Sequence, residues 1–273
     1  MTQKAVISEH FSRTADVWRA NIYKPRSAQG MFEYYDKQYR FDYVVGMIEN
    51  TSVPGKRAMD MGCGAGQLLP VLVDRGYQAY GIDVALPMIE KANELCKKAG
   101  IAAEIRVGDC EKLDYPDNFF DLYIAMGVIE YMDDDAPMLK EIMRVLKPGG
   151  TAVVTVRSVL SWHVRWRSLY QRFIEDPLRN YINRALGKPA SARKYISREH
   201  NPAVFCSQIE SLGFKSTGGR YAHFHIFFSP FDRVLFPLEA VLGKTMEKYF
   251  SEGGFPFMAS TYIAKFQKPQ EKP

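Results

Sequence analysis

Residues 57–66 read Arg57-Ala58-Met59-Asp60-Met61-Gly62-Cys63-Gly64-Ala65-Gly66. A short apolar run ends in Asp60, glycines follow at alternate positions, and the stretch from Gln67 to Arg75 has helical character. The pattern predicts a strand, a glycine turn and a helix N-terminus. Glycine tolerates positive φ and lets backbone approach a ligand closely, while a helix start presents unpaired N–H groups to negative charge. Two nucleotide-binding patterns compete. A dinucleotide fingerprint has its third glycine one position later, where this chain has Gln67, and a P-loop needs Gly-Lys-Ser/Thr, which is absent.

On the C-terminal side the rhythm is regular. Gln78–Ile82 predicts a second strand ending at Asp83, and Leu86–Ala99 a helix with Pro87 in its first turn and Gly100 as its stop. Ala103–Val107 leads as a third strand into Gly108-Asp109-Cys110, and Asp121–Met126 is a fourth. Asp133–Asp135 caps a helix that Pro148-Gly149-Gly150 stops, and Thr151–Val156 is a fifth strand. Strands alternating with helices predict a parallel sheet covered on both faces, with ligand outside the carboxyl ends of the strands. Asp60, Asp83, Asp109 and Met126 all fall at those ends.

Residues 1–50 predict two helices rich in aromatics (Phe11, Trp18, Tyr23, Tyr34, Tyr35, Tyr39 and Tyr43), a lid over the core. After Arg157 the alternation breaks. A helical insertion interrupted by Pro177 is followed by a helix over 201–212, a sixth strand within 214–228, helix over 230–250 and a last strand over 260–267. The expected division is 1–50 lid, 51–157 core, 158–200 insertion capping the acceptor, and 201–273 the rest of the sheet with an acceptor-side helix.

The chain has 273 residues, 47% of them hydrophobic and 25% charged, which suits one medium domain with elaborations. A net charge of +5 without a dense Lys/Arg run argues against a nucleic-acid partner. Four cysteines lack paired short spacing, so neither a zinc site nor a disulfide framework is expected, and no metal is assigned. With no apolar leader and no run of transmembrane length, a cytoplasmic location is expected.

Five signals stand in order across about Ala58–Val156: the Asp-x-Gly-x-Gly-x-Gly turn, Gly81-Ile82-Asp83, Gly108-Asp109-Cys110, the strand Phe120–Met126, and Leu146-Lys147-Pro148-Gly149-Gly150. Together they resemble the class I S-adenosylmethionine (SAM)-dependent methyltransferases, and within them the small-molecule enzymes acting on ubiquinone precursors or magnesium-protoporphyrin. The resemblance implies a Rossmann-like, doubly wound α/β fold with a seven-stranded sheet. It implies SAM as methyl donor, with S-adenosylhomocysteine as product, and a small or lipid-like acceptor methylated at a hydroxyl oxygen. N- or C-methylation and a SAM-binding module without turnover stay open as alternatives.

The cofactor residues it implies are Arg40, Asp60, Gly62, Cys63, Gly64, Gly66, Asp83, Val84, Asp109, Cys110 and Met126. A carboxylate at position 83 suits ribose hydroxyls, Asp109 and the Cys110 N–H suit the adenine edge, and Arg40 suits the methionyl carboxylate. His223 and His225, alternating on the sixth strand with Tyr221, and Tyr131 are the acid–base candidates. Many relatives read Glu-His after the fourth strand, where this chain has Glu130-Tyr131. Aromatic residues interleaved with arginines over 158–186 also fit a helix lying on the inner face of an anionic membrane.

Overall fold

The computed structural model describes residues 3–23, 28–49, 53, 55–187 and 197–270, with side chains described outside 17–36, 39, 233 and 236. Of the lid aromatics, Trp18, Tyr23, Tyr34, Tyr35 and Tyr39 have side chains outside the described ones. Two helices, α1 (Gln3–Tyr23) and α2 (Ala28–Met47), come first. Then follow β1 (Arg57–Met61), α3 (Leu68–Asp74), β2 (Gln78–Asp83), α4 (Leu86–Ala99), β3 (Ala103–Val107) and β4 (Phe120–Ala125). The alternation continues through α5 (Ala136–Val145) and β5 (Leu146–Arg157). The elaboration comprises α6 (Trp162–Tyr170), α7 (Asp176–Ala185), α8 (Pro202–Ser211), β6 (Lys215–Phe224), α9 (Phe231–Val234), α10 (Phe236–Phe250) and β7 (Ala259–Gln267).

Seven strands form one sheet in the order β3-β2-β1-β4-β5-β7-β6. The first five are parallel, and β7 runs antiparallel between β5 and β6. The sheet is therefore mixed, where the alternation alone predicted parallel strands. Each face is covered. Met138, Leu139 and Ile142 of α5 pack with Phe205 and Ile209 of α8 on one face. Val44 of α2, Leu68 and Leu72 of α3 and Ala92 of α4 fill the other. Four of the five strands in the parallel run keep most of their residues buried, as a sheet covered on both faces requires.

Three boundaries differ from expectation for local reasons. The ladder between β4 and β5 starts at Phe120 opposite Leu146 and then shifts register to Leu122 opposite Thr151, so Lys147–Gly150 bulges instead of ending a helix. Gly149 takes φ 78 in that bulge. The insertion is interrupted by a π-helical turn over Gln171–Glu175, while Pro177 sits in the first turn of α7, where its missing N–H costs nothing. Strand β6 stops at Phe224 because the next free N–H groups, of Ile226 and Phe227, both donate to the Glu239 carboxylate at 3.0 Å.

The glycine turn is locked by close packing. Gly62, Gly64 and Gly66 all have positive φ, and a Cβ on Gly66 would stand 2.9 Å from the Ala92 Cβ. Gly66→Ala combines a left-handed backbone with overpacking against α4, so it should cost roughly 2–4 kcal/mol, read as a drop in the urea unfolding midpoint.

Candidate active site

The order of the sheet reverses between β1 and β4, and the carboxyl ends of β1 to β4 surround a cleft. Such switch points are where open α/β sheets bind ligands. Its lining includes Gly62 and Gly64 from the glycine turn, Asp83 and Val84 after β2, Gly108, Asp109 and Cys110 after β3, and Met126 after β4. Tyr131 lines it too, from a 3₁₀ turn over Ile129–Tyr131. The roof is α1, which contributes Lys4, Ile7 and Phe11.

Asp83 ties the rim together. Its Oδ2 accepts the Gly64 N–H at 3.0 Å and its Oδ1 the Ala85 N–H at 2.9 Å. Burial raises its carboxyl pKa, against the lowering effect of those two donors. Asp60 lies behind the turn and outside the cleft lining. It is 3% exposed, and burial followed by the charge of Asp83 pushes its carboxyl up to about 7. Cys63 and Gly66, within the turn, are also buried and outside the cleft lining.

Asp109 is more open. Its Oδ2 accepts from Lys4 Nζ at 2.8 Å and its Oδ1 from the Glu111 N–H at 3.0 Å. Partial burial would raise its carboxyl, but Lys4 and the backbone donor outweigh burial and hold it below the usual range. Burial pushes the adjacent Cys110 thiol up to about 12, so it stays neutral. Helix α1 also reaches the other rims: Ser8 Oγ donates to the Val84 carbonyl, Gln3 Nε2 to the Tyr131 carbonyl, and Phe11 meets Tyr131 edge to face at 5.7 Å.

Arg40 stands behind the floor of the cleft. A Cβ on Gly127 would come within 2.7 Å of its Nη1, and the Gly127 N–H is held by Thr155 Oγ1 at 2.8 Å. His223 and His225 do not line the cleft. The expected alternation along β6 is broken at His223, which has φ 57. His225 is 2% exposed and stacks on His163 of α6 with centroids 3.6 Å apart. Burial first, then His223 and His163, drives the His225 imidazole well below its ordinary pKa. Its Nδ1 is 3.3 Å from Glu239 Oε1 but not oriented for a hydrogen bond, whereas His163 Nε2 reaches the fully buried Asp232 at 2.8 Å.

Residues 59–154 match the family model described as a methyltransferase domain. The 2-methyl-6-phytyl-1,4-hydroquinone methyltransferase of Synechocystis is 29% identical over 63% of this chain and 60% of its own length. The ubiquinone biosynthesis O-methyltransferase of Methylococcus capsulatus is 35% identical over 37% of this chain and 44% of its own length. The chain thus spans less than two thirds of either relative.

Residues 59–154 are a methyltransferase domain.

The fold agrees over nearly the whole chain. The [4+2]-cyclase SpnF superposes with a TM-score of 0.61 at 19% identity, covering 97% of this chain and 96% of its own. A SAM-dependent methyltransferase of Thermotoga maritima, described as a possible histamine N-methyltransferase, gives 0.59 at 16% identity, covering 96% and 99%.

The domain's family and class I fold imply SAM as cofactor, and the cleft residues fit it. Two carboxylates, Asp83 and Asp109, stand on adjacent strand ends, where hydroxyl and amino donors of an adenosine would meet acceptors. Both keep lone pairs beyond the bonds described above. Among described residues that sequence reasoning did not find are Lys4, Ile7, Gly127 and Met132. A single lysine or glycine carries no pattern, and only tertiary packing brings these to the methyltransferase cleft.

Two outcomes follow. Asp83→Ala should weaken SAM by on the order of 2–4 kcal/mol in calorimetry, since it removes charge-assisted acceptors and the anchor of Gly64. For Asp60, a folded pKa raised above the unfolded value contributes stability that is full below about pH 4 and lost as pH rises toward 7. Asp60→Asn should therefore flatten stability against pH in that window, by at most about 1.4 kcal/mol per pH unit, in denaturant titrations.

Proposed function

We propose that this chain transfers the methyl group of SAM to a small or lipid-like acceptor bearing a ring hydroxyl. The observation that supports it is the convergence of the left-handed glycine turn, Asp83, Asp109 and Met126 on one cleft beneath α1. When bound, SAM supplies a methyl already activated on its sulfonium. The chain's own residues then have to orient the acceptor, exclude water and take up a proton from the hydroxyl. Helix α1 excludes water by covering the cleft, and Met126, Val128 and Tyr131 form its apolar wall. Of the three acid–base candidates Tyr131 lines this space, so we assign it to the acceptor side. His223 and His225, packed with His163, support the cap from behind. A quinol or phenol with an apolar tail suits this reading, since both relatives above are named for quinone-related substrates.

The outer surface of the insertion is apolar: α7 has no buried residue, and Leu169, Phe173, Leu178 and Tyr181 are more than half exposed. Exposed Arg172, Arg179 and Arg184 interleave with them. Aromatic and aliphatic side chains that enter the acyl boundary beside arginines that meet phosphate make this face suited to the anionic inner surface of a membrane. No described helix is long and apolar enough to cross one.

Incubation with methyl-labelled SAM and a prenylated hydroquinone should give a product one methyl heavier, with an O-methyl signal in its NMR spectrum. Label on carbon or nitrogen would reassign the acceptor atom, and SAM binding without turnover on any ring hydroxyl would sink the proposal. Co-sedimentation with vesicles should rise with anionic lipid, fall with salt, and drop when Arg172, Arg179 and Arg184 become Glu. Equal recovery in the supernatant at every lipid composition would leave α6 and α7 as a lid only.

A further inference from the structure

Residues 197–200, between α7 and α8, form a strap joining the end of β5 to the turn after β4. At one end His200 makes a parallel bridge with Ser158: its N–H donates to the Arg157 carbonyl at 2.7 Å, and its carbonyl accepts the Val159 N–H at 2.9 Å. At the other end the Arg198 N–H donates to the Glu130 carbonyl at 2.7 Å, and Arg198 Nη1 donates to the Met132 carbonyl at 3.3 Å. Arg198 thus grips the chain on both sides of Tyr131.

The arginine is itself fixed. Asp135, 4% exposed at the start of α5, accepts from Arg198 Nη1 at 2.7 Å, and His200 Nε2 lies 3.2 Å from the same oxygen. Burial would raise the Asp135 carboxyl, but His200 and Arg198 outweigh burial and hold it below the usual range. A charge-assisted bond to a buried carboxylate sets the guanidinium in one place. Tyr131 and Met132 line the cleft, whereas Arg198, Asp135 and His200 stand outside its lining. The turn they hold is a single 3₁₀ turn of three residues. Such turns have poor internal hydrogen-bond geometry, so outside contacts decide where the Tyr131 ring points.

We propose that Arg198 is a positioning residue for methyl transfer: by holding the carbonyls on either side of Tyr131, it sets that phenol against the acceptor. This rests on the assignment of Tyr131 to the acceptor side and adds the residue that fixes it there. A group displaced by about 1 Å at a reacting centre can lose on the order of a hundredfold in rate, so a residue outside the cleft can govern turnover through Tyr131 alone.

The test compares variants of the full chain with labelled SAM and a prenylated hydroquinone. Arg198→Met keeps the backbone N–H and the length of the stem but removes both side-chain bonds. It should lower kcat by about ten- to a hundredfold, with calorimetric affinity for S-adenosylhomocysteine unchanged, and Arg198→Lys should recover part of the loss. Tyr131→Phe should also lower kcat, and adding Arg198→Met to it should cost less than about twofold more, since residues acting through one another are not additive. Losses that multiply in the double variant, or S-adenosylhomocysteine affinity falling in step with kcat, overturn the proposal. Unchanged turnover in Tyr131→Phe takes down the Tyr131 assignment beneath it, and the proposal with it. A second measurement needs no acceptor. In fluorine NMR of the fluorotyrosine-labelled chain, the line that Tyr131→Phe removes should broaden or split in Arg198→Met while the other tyrosine lines hold. Should Arg198→Met not fold, Arg198→Lys should move the same line by less. A Tyr131 line identical to wild type in every folded Arg198 variant overturns the proposal, whatever the acceptor.

Discussion

The Asp83 carboxylate accepts one N–H from the glycine turn and one from the start of α4, and the cleft is built around that pair of hydrogen bonds. A chain leaving β1 must turn sharply upward and re-enter a helix within a few residues. It does so through three left-handed glycines, a conformation costly for any residue with a Cβ. The turn gains its shape from what it packs on: Val128 fills the space a Gly62 side chain would need, and Ala92 the space at Gly66. Asp83 then joins the end of β2 to this turn. Burial raises both carboxyls in this region, and the charge of Asp83 adds to the rise at Asp60.

Roof and floor of the cleft are held by different forces. The floor is sheet, with Met59, Tyr123 and Ile124 fully enclosed. Among its described side chains the roof, α1, is fastened by partly exposed polar contacts such as Lys4 with Asp109 and Lys91 with Asp16, plus a small apolar cluster of Phe11, Ala15, Ala85 and Met88. Exposed ion pairs contribute about 0–1 kcal/mol each. Opening the roof is therefore much cheaper than disturbing the floor, which suits a site that must admit a cofactor and release a product.

On the far side, α6 is seated by buried polar groups. His163 bonds Asp232, lies flat against His225, and Trp166 Nε1 donates to the Ser229 carbonyl at 2.8 Å. These contacts pin the first helix of the insertion, while α7 beyond it buries nothing. The insertion is thus anchored at its root and open along its outer face.

Local sequence determined the repeating core, because each element there obeys a short-range rule. Pro87 and Gly100 bound α4, and Ala103–Val107 forms β3 where its pattern predicted. Glycine spacing with acidic residues at strand ends likewise located Gly62, Gly64, Asp83, Asp109 and Met126 before any packing was considered. Tertiary structure decided what depends on residues distant in the chain. The antiparallel insertion of β7 between β5 and β6 leaves no mark on its own nine residues. Lys4 meets Asp109 across 105 positions, and Arg40 meets Glu130 across a turn that only Gly127 permits. Period-two spacing puts His223 and His225 on one face only along an unbroken strand. A left-handed residue at 223 and a carboxylate from α10 redirected them, and neither is visible in a pattern of side-chain types.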